Sequence, residues 1–153
     1  MNTLIYSLSI FAVFLGLIAG WILSRISKEE LKPGKTYFLI AEKIIMFAAF
    51  AVFLYSIKLK LLIFIIASIA LLAFAVFIRI EPYIAYPIFG FMLYIAYASN
   101  SPLFFALASA CFAYGLPAAM FMASNKAKLK SMITHNIGFF VTAFFPLLAG
   151  FVI

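Results

Sequence analysis

Apolar runs long enough to cross a bilayer recur six times along the chain, and they leave little choice of fold. They extend from Thr3 to Leu23, Thr36 to Ile57, Leu61 to Ile78, Pro82 to Ala98, Pro102 to Ala123 and Met132 to Ile153. A hydrocarbon core takes about 17 to 25 residues of helix. Within it an unsatisfied backbone group costs several kcal/mol, so each run has to close its own hydrogen bonds as a helix. The period-two alternation of a barrel strand is missing. The expected fold is all-α, a polytopic transmembrane helical bundle of six spans, with residues 1–153 as a single integral membrane domain.

Composition points the same way. The chain is 69% hydrophobic and 10% charged, against roughly 45 to 50% and about 25% in soluble domains. With a mean hydropathy of +1.26, these values exclude a water-soluble fold. The longest polar interval, Ser24 to Lys35, reads as a loop. The first run lacks a basic leader and is directly followed by Arg25 and Lys28, the order expected of a retained anchor rather than a cleaved signal.

The breaks between runs have local causes. Pro33 and Gly34 interrupt the first loop, and Lys58 and Lys60 mark a turn that cannot stay in hydrocarbon. Glu81 before Pro82 suits a helix start, with a carboxylate at the positive helix end and proline at the first helical position. Asn100, Ser101 and Pro102 predict a turn that starts the fifth helix in the same way. Ser124 and Asn125 open a lysine-bearing loop.

Net charge is +7. Binding nucleic acid would need the basic residues clustered on one solvated face, whereas here they lie between apolar runs. They read instead as orientation signals and as contacts for anionic lipid head groups, above all Lys126, Lys128 and Lys130. Arg25, Lys28, Lys32, Lys35, Arg79, Lys126, Lys128 and Lys130 fall on one side, and only Lys58 and Lys60 on the other. The rich side is expected to be cytoplasmic, which places both termini outside and the protein in a plasma or cytoplasmic membrane. The fourth run is short and contains Pro87 and Gly90; were it re-entrant, the C-terminus would move to the cytoplasm. Three spans followed by three necessarily place the two halves in opposite orientation, the arrangement of many transporters.

Small residues recur at four-residue spacing and therefore share helix faces. Gly16 and Gly20 do so in the first run; Cys111, Gly115, Ala119 and Ala123 in the fifth; Gly138, Thr142, Pro146 and Gly150 in the sixth. Such faces predict close helix packing within the bundle, and the first would also permit a homodimer. In the fourth run Tyr83, Tyr86, Tyr94 and Tyr97 fall within an arc of about 80°, with Gly90 in its middle. Interfacial tyrosine belts are the first reading, and a groove lined by phenol hydroxyls is the other.

Glu42 and Lys43 lie inside the second run. Lys43 can snorkel toward head groups, while the shorter Glu42 is expected to turn inward, toward Lys35, Arg79 or His135. His135 and Asn136 open the sixth run, and His135 reads as a proton relay or as an interfacial side chain. Glu42, Lys43, Arg79, Glu81, His135 and Asn136 together make the leading candidate, a polar or ion site at the cytoplasmic mouth.

The inventory narrows the chemistry. No aspartate occurs, so paired-aspartate reactions have no residues to use, and a single histidine excludes the HExxH zinc motif. Cys111 is the only cysteine. No serine-nucleophile, Walker or dinucleotide motif is present, and no cofactor or metal is called for. The residual enzymatic reading is an intramembrane enzyme using Glu42 or His135. The two non-enzymatic classes are a small transporter or permease unit, and an accessory or assembly subunit of a larger membrane complex.

Overall fold

In a computed structural model of the protein, residues 2–57, 61–77, 81–99 and 101–149 are described, and all their regular structure is helical. Lys58, Lys60, Arg79, Asn100 and Gly150 lie outside the described residues. The helices are α1 (Thr3–Ile26), α2 (Lys35–Ser56), α3 (Leu61–Phe77), α4 (Pro82–Ala98), α5 (Phe104–Ser124), α6 (Leu129–His135) and α7 (Gly138–Leu148). Among the described residues four stretches are long and apolar enough to cross a membrane: α1, α2, α5 and the broken pair Leu129–Leu148. Both α3 and α4 are shorter, at 17 residues.

Helix ends follow local chemistry. Asn2 caps α1, its side chain accepting from the Leu4 N–H at 3.1 Å. At the other end α1 runs one turn past Leu23, because Arg25 in the last turn suits the negative helix terminus and its guanidinium lies 4.7 Å from the Trp21 ring centre. Glu81 occupies the N-cap position of α4 with Pro82 next to it, although its carboxylate makes no capping hydrogen bond. α5 starts two residues later than Pro102, since the Ser101 hydroxyl accepts from the Leu103 N–H at 3.3 Å and holds residues 102–103 in a turn.

The last run departs most from the sequence reading. Its helix begins at Leu129, ahead of Met132, and breaks at Asn136 and Ile137. The Asn136 amide donates to the Met132 carbonyl at 2.7 Å, a side-chain bond to its own helix four residues back. Gly138 then starts α7.

Two helix pairs form the bundle. α1 and α5 run parallel, with Gly16 against Phe112 and Gly20 against Leu116 and Ala119. A Cβ added at Gly20 would come within 2.5 Å of the Leu116 carbonyl oxygen, and one at Gly16 would collide with that of Phe112. Gly115 reciprocates, its missing Cβ facing the Gly16 and Leu17 backbone at 2.6 Å. Lipid tails give helices no hydrophobic reason to associate, so close backbone contact of this kind supplies the attraction through dispersion and Cα–H···O contacts. Gly16 and Gly20 thus face α5 of their own chain.

The second pair is α4 with α7, also parallel. Pro87 packs on Gly138, and the space over Gly90 is filled by Thr142, Phe139 and Ala143. α2 joins the first pair, antiparallel to α5, with the Lys35 ammonium donating to Asn125 Oδ1 at 2.8 Å.

Between the pairs, large side chains replace close backbones. Tyr6 of α1 donates its hydroxyl to the Ala143 carbonyl of α7 at 2.7 Å. Phe14 stacks on Phe139, with ring centres 6.2 Å apart, and Tyr6 lies 4.4 Å from Tyr97. These contacts set α1 antiparallel to α4 and α7. A two-fold relating the first three runs to the last three would match the close α1–α5 approach with α2–α4, and α4–α7 with α1–α3. Among the described residues α2 and α4 barely meet, and α1 and α3 do not pack closely. Among the described residues the packing shows no such two-fold.

Outward faces are strongly apolar. Leu8, Ile44, Ile66, Ile69 and Phe145 are all more than half exposed. Contiguous apolar surface of this extent suits lipid and would drive aggregation in water.

Candidate functional site

The buried carboxylate of Glu42 organises the interior. It sits seven residues into α2, about 10 Å of helical rise from Lys35, and is 5% exposed. The Tyr114 hydroxyl donates to Glu42 Oε1 at 2.8 Å. Tyr114 is fully buried and lies ten residues from either end of α5. A charged group on a helix costs up to about 2.5–3.5 kcal/mol on insertion scales, the upper value applying at mid-bilayer, deeper than Glu42 lies. A hydrogen bond to a charged group is worth about 1.5–3 kcal/mol. The phenol therefore offsets a large part of what keeping Glu42 inside costs.

Aromatic rings close around this pair. Phe89 meets the Tyr114 ring edge-on at 4.9 Å, and Tyr86 does so at 5.8 Å. Tyr86 also packs at 90° on Phe139 of α7, with centres 5.6 Å apart. Its hydroxyl points at Gly115, where a Cβ would come within 2.6 Å, so a glycine is needed for the phenol to enter the α5 surface. Tyr86 is wholly buried, and among the described residues its hydroxyl has no hydrogen-bond partner. A buried hydroxyl left so costs about 1–3 kcal/mol, which marks the position as one needing an explanation. Cys111, one turn before Tyr114, is a buried free thiol.

The structure thus brings Glu42 and Tyr86 together around Tyr114, a residue that the sequence reading did not single out. Lys43 is half-buried beside Glu42 on α2. Arg79 falls outside the described residues. Lys35 turns away to Asn125, with its ammonium 5.4 Å from the Phe121 ring centre. His135 is exposed at the end of α6, its Nδ1 2.7 Å from the Ser131 carbonyl oxygen of the same helix. Asn136 is fully buried, and among the described residues its Oδ1 has no hydrogen-bond partner.

The tyrosine stripe of α4 divides. Tyr86 and Tyr94 are buried, Tyr97 is half-buried with its hydroxyl 3.2 Å from Thr3 Oγ1, and Tyr83 is exposed. Space at Gly90 is taken by α7. Ala119 and Thr142 occupy the two close-packed interfaces, facing Gly20 and Gly90 respectively. Among the described residues no group of three or more His, Cys, Asp or Glu side chains could hold a metal ion.

The architecture is that of a helical bundle with apolar, membrane-compatible helices around an interior carboxylate. Comparison with protein-family models, with curated proteins and with solved structures finds no match to this chain.

Proposed function

We propose that the protein is a small transport or permease-type unit of the plasma or cytoplasmic membrane, in which Glu42 binds a proton or a small cation. In this reading the chain crosses the bilayer six times, the lysine-rich side faces the cytoplasm, and both termini lie outside. It performs no bond-making chemistry. The observation that carries the proposal is the Glu42–Tyr114 pair: an ionisable group kept deep in a membrane bundle and held by a specific donor is characteristic of an ion or substrate path.

Two further features support it. The unpartnered Tyr86 hydroxyl lies beside the same pair and can donate to, or accept from, a bound species. The sixth run is interrupted between α6 and α7, at Asn136 and Ile137, a discontinuity of the kind that transporter helices carry. The moving units are then the α1–α2–α5 group and the α4–α7 pair, with glycine contacts tightening α1 on α5 and α4 on α7, sliding across the aromatic layer of Phe14, Tyr86 and Phe139 that separates them.

Purified protein in vesicles loaded with a pH-sensitive dye, under a valinomycin-imposed potassium potential, is expected to raise proton entry at least about tenfold over empty vesicles. Glu42→Gln should return the rate to background while Lys130→Gln leaves it high. Equal rates for wild type and Glu42→Gln would refute the carboxylate's role. No flux at all, together with a stoichiometric copurifying protein, would replace transport with the accessory-subunit reading.

A further inference from the structure

At the lysine-rich end of the bundle a cavity of about 420 Å³ opens between the α1–α2 loop and the α5–α6 loop. Its lining includes Arg25, Lys28, Lys32, Lys126 and Lys128, five cations, and no acidic side chain. Glu29 and Glu30 belong to the same loop but do not line it. Two loops 90 or more residues apart in sequence converge to build this concentration of charge.

The simplest account of basic residues here is helix-end chemistry, because the parallel α1 and α5 both end at this cavity. Each terminus carries roughly half a negative charge, so two of them amount to about one unit. Five cations exceed that several-fold, and the excess is available to an anion. Three structural details order its walls. The Trp21 ring holds the Arg25 guanidinium at 4.7 Å. The Ser24 hydroxyl, at the cavity wall, is turned back onto the Trp21 carbonyl at 2.6 Å, fixing that turn of α1. Lys126 adopts a φ of 65°, a left-handed backbone that lysine disfavours, and it is the one non-glycine residue with positive φ among the described residues. The Lys126 and Ala127 N–H groups donate to the Ala123 and Met122 carbonyls, so this left-handed residue closes the end of α5 as a capping turn and fixes where the loop leaves the helix.

We infer that this cavity binds the phosphate groups of an anionic phospholipid head group, preferentially one carrying two phosphates. Basic pockets between helices at the cytoplasmic boundary recognise such head groups, and the bilayer supplies them at high local concentration beside the cavity. The site is separate from Glu42 and does not depend on the transport reading.

Trp21 is the only tryptophan and lines the cavity, so its fluorescence reports on the site directly. The protein in neutral detergent is titrated with a two-phosphate lipid (cardiolipin), with neutral phosphatidylcholine, and with inorganic pyrophosphate. A saturable Trp21 change is expected with cardiolipin, at least about tenfold tighter than with either comparison. The double variant Lys126→Gly with Lys128→Gln should bind at least about tenfold more weakly. Glycine accepts the backbone angle at 126, so folding is preserved. Lys130, which the sequence groups with Lys126 and Lys128, lies outside the lining, so Lys130→Gln should bind as wild type does. Pyrophosphate binding as tightly as cardiolipin would overturn the lipid source. An equal loss in Lys130→Gln, or none in the double variant, would overturn the cavity.

Discussion

Gly20→Leu and Gly16→Leu are each expected to destabilise the bundle by about 1–3 kcal/mol or more, among the largest effects of any single change on α1. The obstacle at both positions is the α5 backbone, the Leu116 and Phe112 carbonyls, which cannot swing aside as the tip of a flexible side chain would. α1 would have to withdraw along its whole contact with α5, and the Tyr6 and Phe14 contacts to α7 would be lost with it. Because both glycines meet one partner helix, the double variant should cost less than the sum of the two. Unfolding by denaturing detergent in mixed micelles, followed by Trp21 fluorescence, measures this. Leu15→Ala on the lipid-facing side of α1 is the control, expected within about 0.5 kcal/mol of wild type. Equal stability of Gly20→Leu and Leu15→Ala would mean that α1 and α5 do not cross at these glycines.

Tyr114→Phe should cost about 1.5–3 kcal/mol, because it removes the hydrogen bond to Glu42 and leaves the carboxylate in place. Glu42→Gln should cost less, about 1 kcal/mol, since a carboxamide oxygen still accepts from the phenol. The two changes act on one bond, so their double-mutant cycle should show a coupling of at least about 0.5 kcal/mol. The same unfolding assay provides the values. Strict additivity would separate Glu42 from Tyr114.

These two predictions rest on features of very different visibility in the sequence. Five of the apolar runs coincide with helices to within about three residues at each described end, because the bilayer sets helix length and the breaks carry proline, serine or charge. Gly16, Gly20 and Gly115 were legible as packing faces from their spacing, but spacing does not say which helices meet. That depends on matching surfaces of separate segments. The break at Asn136 was hidden because asparagine occurs both within helices and at their ends, and only its bond to Met132 distinguishes the two.

Glu42 drew notice as a charge in an apolar run, yet its donor did not. Tyr114 lies 72 residues away and resembles any other aromatic in a span. One signal was present: it is a phenol at the centre of the fifth run, far from both boundaries where tyrosines usually collect. The convergence of Lys28 and Lys32 with Lys126 and Lys128 likewise needs α1 and α5 to be parallel neighbours, which a linear reading of charge does not reveal.

Carbodiimide labelling read by mass spectrometry tests the central claim most directly, since the chain has only four carboxylate side chains, Glu29, Glu30, Glu42 and Glu81. In native membranes a water-soluble carbodiimide should modify the exposed Glu29 and Glu30 and spare Glu42, while a membrane-soluble one reaches Glu42. Modification of Glu42 by the water-soluble reagent as fast as that of Glu29 would contradict a carboxylate enclosed in a membrane bundle.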